Sequence, residues 1–214
     1  MPDPKPLAGY TSYRNLPPLA GLCSIEDATK PGLPLDECVR RLKRFHYCFK
    51  RLHEILTARL TAEPIYELKT AFAHHAYLCA EHVSALRQRI SEMREPPLGL
   101  EDVPHPALEV FFDEILCAPT TAEMVWSVYR LTLQSIDVAV TMYLHDTHPL
   151  TDAPSRRVLR FAQIELHDMM NFGNRSLAAL EVKENHHISA DWHNLLCGLL
   201  MAAGDFYPEP PDET

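Results

Sequence analysis

Apolar positions recur at alternating steps of three and four over long stretches of the chain, the period of an amphipathic helix. Leu35, Cys38, Leu42, Phe45, Phe49, Leu52 and Leu56 form one such seam. Ile65, Leu68, Phe72, Ala76, Cys79, Val83, Leu86, Ile90 and Met93 form a second. The stretch "TAEMVWSVYRLTLQSIDVAVTMYLHD" is apolar nearly all round and predicts a deeply buried third helix. A fourth follows "THPLTDAP", with Thr151 or Asp152 as cap and Pro154 in its first turn. In it Val158, Phe161, Ala162, Glu165, Met169 and Phe172 share a stripe, so a carboxylate is expected among apolar side chains. The polar run "NRSLAALEVKENHHISAD" predicts a break, and "WHNLLCGLLMAAGDFY" a fifth, mostly apolar helix.

Prolines draw the boundaries, because proline is costly inside a helix and tolerated at its start. They crowd into 2–34 and recur at 64, 96–97, 104, 106, 119, 149, 154 and 208–211. Residues 1–34 therefore predict an irregular arm, packed on the surface through Tyr10, Tyr13 and Leu16. Only "TAEP" parts the first two helices, so they should form an antiparallel hairpin. The connection from the second helix to the third is long and holds "PALEVFFDEILCA", a short helix lying across the others. The expected fold is all-α: a four-helix bundle over 35–173, made of two helical hairpins and a long crossover. Residues 174–207 add the polar break and the extra helix, and 208–214 form a disordered tail.

Composition narrows the function. The formal net charge of −9 disfavours general binding to a nucleic-acid backbone, which wants a basic face. The apolar runs are too short to span a bilayer, and the N-terminus lacks the apolar core of a signal peptide. The six cysteines include no CxxC pair and read as reduced thiols of a cytoplasmic protein. Gly-rich phosphate loops, a GxGxxG turn and a GxSxG elbow are all missing, so no nucleotide cofactor is indicated. A thiol–imidazole pair such as Cys79 with His75 or His82 can be drawn on the second helix, but Cys79 falls on a core stripe, where a thiol is inert.

The candidate chemistry lies in polar residues placed near the core. In an antiparallel hairpin, residues at one level share a constant sum of numbers. That rule sets His53 level with His75 and His46 level with His82, the two levels roughly 10 Å apart. Imidazole is the commonest protein metal ligand. Either the two flanks face each other, or these are amphipathic residues at the seam edge. On the fourth helix Glu165 and Asp168 can address one site. A structural pairing of Glu165 with Arg130 or Arg157 is the competing reading. His74, Glu81 and Glu54 point away from the seams. His186, His187 and His193 crowd together without a regular zinc spacing and read as a solvated loop. The third helix bears a polar stripe of Glu123, Ser127, Arg130, Gln134, Asp137 and Thr141, which faces either water or an internal polar channel.

Two hairpins, a long crossover and the acidic run "QIELHD" resemble the ferritin-like helical-bundle superfamily over roughly 35–173. Its di-iron members place a Glu on each of two helices and Glu-x-x-His on the other two. Here Glu165 and Asp168 stand where Glu-x-x-His is expected, Glu81 is followed by Ser84, and the first helix offers His46 or His53. The resemblance thus implies a mixed His/carboxylate site drawn from His46, His53, His75, His82, Glu165 and Asp168. Its metal would be iron, manganese or zinc, and its chemistry that of an oxidoreductase or oxygenase. The alternative is a non-catalytic helical interaction or scaffold module with structural ion pairs inside. That module would recruit a protein partner or a second copy through the C-terminal apolar helix.

Overall fold

The computed structural model describes residues 10–93, 99–184 and 188–207, with residues 181–184 as backbone. Every regular element among them is helical: α1 (Leu35–Ala62), α2 (Tyr66–Glu92), α3 (Pro106–Leu116), α4 (Thr121–Val125), α5 (Leu133–Asp146), α6 (Ala153–Glu184) and α7 (Ala190–Ala202). Between α4 and α5 the chain stays helical but widens into a π segment, Trp126–Thr132. The three make one rod, because the residues at both junctions keep right-handed helical dihedrals.

Helix α1 starts after Pro34 with Asp36 and Glu37 in its first turn, where acids complement the helix dipole. It packs antiparallel on α2, and His53 Nδ1 meets the Ala76 carbonyl at 2.9 Å across the pair. Leu42, Phe45, Phe49, Leu52 and Ile55 from α1 meet Phe72, Cys79, Leu86 and Ile90 from α2 in a fully buried interface. The tight turn is pinned by Glu63. Its carboxylate accepts from Ile65 N at 3.0 Å and from the Thr121 hydroxyl at 3.1 Å, tying the hairpin to the start of α4.

Helix α6 packs on α2 and on the π–α5 rod, and Phe45 closes the core edge-on against Tyr143. The π segment and α6 pack tightly at Gly173. A Cβ there would meet Tyr129 Cβ at 2.1 Å, so only glycine permits the approach. Thr132 supports the wide turn by donating to the carbonyl of Ser127, five residues back.

Helix α1 is buried on its outer side as well. Helix α3, capped by His105 and started by Pro106, sets Phe111 and Phe112 against Tyr47 and Phe206. Helix α7 packs on α3, with Trp192, Leu196 and Leu200 inward and Leu195 and Met201 exposed. Its end is held by Arg44, which donates to the carbonyls of Ala203 (2.6 Å) and Asp205.

Two sequence expectations change. The polar break does not start at 174: α6 runs on to Glu184, because Gly173, Leu177 and Leu180 continue its buried stripe. The arm is not anchored through Tyr10, Tyr13 and Leu16, which are all exposed. It is held further along, where His148 donates from Nε2 to the Ala28 carbonyl and Gly32 lies flat on the His148 backbone. The expected tail, 208–214, and His186 and His187 lie outside the described residues.

Candidate functional site

The four candidate histidines of the α1/α2 hairpin, His46, His53, His75 and His82, meet four different environments. His53 is half-buried and spends its Nδ1 on the Ala76 carbonyl, a helix-to-helix bond. His75 is buried, with Nδ1 2.7 Å from the Tyr129 hydroxyl and Phe172 edge-on to both rings. Burial pushes His75 down to about 4, aided by His74, and holds the Tyr129 hydroxyl protonated. One hydrogen bond joins the neutral ring to the protonated phenol, its direction set by the imidazole tautomer. His46 is buried with neither ring nitrogen bonded, and burial again favours its neutral form. His82 lies under Phe49, ring centroids 4.8 Å apart.

Of the α6 acids, Glu165 approaches one of these histidines. Its Oε2 lies 2.8 Å from His82 Nε2, but off the line of the ring N–H, so the contact falls short of a hydrogen bond. Burial takes His82 down to about 4 and lifts Glu165 above its usual range, with Glu81 and Asp168 adding to the lift and His74 opposing it. At neutral pH His82 is a neutral imidazole beside the Glu165 carboxyl group.

Glu165 is not at the centre of the apolar stripe. That centre is Ser155, Leu159, Ala162, Leu166, Met169, Gly173, Leu177 and Leu180, all buried, while the Glu165 side chain is 38% exposed. Phe161 pulls the sequence pattern sideways. It is exposed and covered by the Arg157 guanidinium, 4.8 Å from its ring centre. Asp168 is exposed on the same outer side. Arg130 does not pair with Glu165: it is exposed on the opposite flank of α6. No group of three or more His, Cys, Asp or Glu side chains converges as a metal site among the described residues.

The polar stripe of the third predicted helix divides in two. Glu123 and Ser127 are buried beneath α7, where Trp192 Nε1 donates to Ser127 Oγ at 2.9 Å and Ser127 donates to the Glu123 carbonyl. Arg130, Gln134 and Asp137 instead line an open groove of ≈ 660 Å³ against His167, Asn171 and Asn174 of α6, floored by Tyr129 and Met170. Gln163 Nε2 donates to Thr141 Oγ1 (2.9 Å) and Asp137 Oδ1 (3.0 Å), and His167 Nε2 sits 3.1 Å from the same Asp137 oxygen. A second groove, ≈ 700 Å³, runs by Arg157, Arg160 and Ile164 toward Leu22 of the arm.

Sequence reasoning named the α5 side of the first groove but not Gln163, Asn171 or Asn174. Their spacing along one flank of α6, shared with His167, was the signal available. It also missed the buried knot of Tyr143, Asp152, Ser155 and Arg89, in which Arg89 lies 66 residues from Ser155. Comparison with protein families, with curated proteins and with solved structures finds no match for the chain.

Proposed function

We propose that this chain is a non-catalytic helical binding module on a ferritin-like four-helix frame, whose interior polar groups serve structure and whose function lies on its surface. The frame is read from the α1/α2 hairpin, α6 lying against α2, and the π–α5 rod lying against α6. One observation carries the reading. The hairpin histidines are dealt out singly, to a backbone carbonyl, a phenol, a carboxylate and an apolar pocket, instead of turning toward one ion. A metal needs several deprotonated ligands within bonding distance of one point. The metal-dependent oxidoreductase reading keeps one point in its favour, the approach of His82 to Glu165.

Metal analysis of protein purified without a histidine tag tests the choice. The module reading expects no stoichiometric iron, manganese or zinc. It also expects Glu165→Gln to change stability by less than about 1 kcal/mol, since the carboxylate is partly in water. Stoichiometric metal that leaves with Glu165→Gln would overturn it in favour of the oxidoreductase.

A further inference from the structure

The groove between the π–α5 rod and α6 is a ladder of polar rungs closed at one end and open at the other. Thr141 with Gln163 and Asp137 with His167 are closed rungs, bonded or in contact at 2.9 and 3.1 Å. Stepping up the antiparallel pair brings Arg130 level with Asn174 and Gln134 within one residue of the level of Asn171. None of these four has a hydrogen-bond or ion-pair partner among the described residues, and all four line the ≈ 660 Å³ groove. Of the open-rung residues Arg130 lies in the π segment and Gln134 just past it in α5, while Gly173, between Asn171 and Asn174 on α6, packs tightly on Tyr129. Wide turns of this kind recur at functional sites.

We propose that the open rungs bind a small oxyanion-bearing ligand, a carboxylate or a phosphate, clamped by Arg130 and read by the carboxamides of Gln134, Asn171 and Asn174. This rests on the binding-module reading and gives it a site. The guanidinium is a planar fork matched to such an anion, and each carboxamide adds N–H donors beside it. The nearest acid in the groove, Asp137, lies two turns, roughly 10 Å, from Arg130 along the rod and one turn from Gln134. Its Oδ1 is turned to Gln163, which donates to it at 3.0 Å, and to His167, so the anion is set at the Arg130 end of the groove, where salt screens much of the repulsion. Tyr129 and Met170 give the floor an apolar patch for a short carbon skeleton.

The test is titration of the full-length protein with succinate and, separately, inorganic phosphate, followed by the side-chain amide NMR signals of Gln134, Asn171 and Asn174. One anion is expected to move these signals saturably with a Kd on the order of 1 mM or tighter, and the stronger of the two identifies the ligand class. Arg130→Gln, at an exposed position, should weaken binding about 10- to 100-fold. Asn171→Ala should weaken it less, and Arg157→Gln on the outer face of α6 should leave it unchanged. The proposal fails if neither anion moves these signals at about 20 mM, some twentyfold above that Kd. It fails equally if Arg130→Gln binds like the parent, or if Arg157→Gln weakens binding as much. Such a failure would leave the metal analysis, and the module reading it tests, untouched.

Discussion

Single residues in this chain act mostly by what burial does to them. His75 and His82 are buried neutral, each with its pKa taken from an ordinary 6.5 down to about 4. The unfolded chain therefore binds more protons than the folded one between those values, and stability must fall as pH drops from about 6.5 toward 4. Above 6.5 the contribution of these two residues is complete. The loss has a ceiling of about 3 kcal/mol for each histidine, from the size of the shift. Glu165, raised above the ordinary carboxylate value, works the other way: it favours folding as it protonates and offsets part of the loss at the acid end. Denaturant midpoints measured from pH 7.5 to 4 check the sign. Gly173 offers a cleaner case, because the obstacle is backbone-borne: a methyl there would collide with Tyr129 at its own Cβ. Gly173→Ala is expected to cost about 1–3 kcal/mol in equilibrium unfolding, in spite of alanine's better helix propensity.

At the scale of elements, the α4–π–α5 rod shows what a stripe of residue types can and cannot announce. Its apolar girth was legible, and it is buried nearly all round through the π segment. The polar residues on it were legible too, but their common spacing suggested a common fate. Helix α7 decides otherwise. It covers the Glu123–Ser127 end, and Trp192 Nε1 donates to Ser127 Oγ, while Arg130, Gln134 and Asp137 stay open to the groove. Ser127→Ala would leave that buried indole N–H without a partner, at a cost of about 1–3 kcal/mol. The change should appear as faster hydrogen exchange across α7 and a red shift of Trp192 fluorescence. On α6 the seam is built partly from Ser155 and Gly173, residues that a search for large apolar side chains passes over. The weight then shifts to Phe161, which lies in solvent, and carries Glu165 with it toward an imagined centre.

The whole molecule is held by polar knots that join distant parts of the chain. Arg89 near the end of α2 donates to Ser155 at 2.8 Å, Ser155 donates to Asp152, and Tyr143 of α5 donates to the other Asp152 oxygen at 2.9 Å. Asp152 is buried, so Arg89→Met strands its charge. The expected loss is about 3–5 kcal/mol, and Arg89→Met with Asp152→Asn together should lose less than the sum of the two, which a double-mutant cycle would measure. The sequence by itself determined the helical class, the α1/α2 hairpin and the positions of the helix starts. Those follow from local periodicity and from proline's missing N–H, which act within a few residues. Tertiary structure alone decided which flank of each helix is covered: that the outer side of α1 is buried under α3 and the turn after α7, that the hairpin histidines part company, and that a half-closed polar ladder faces solvent. Burial is a property of neighbours, and neighbours far apart in the chain leave no mark on the spacing of either.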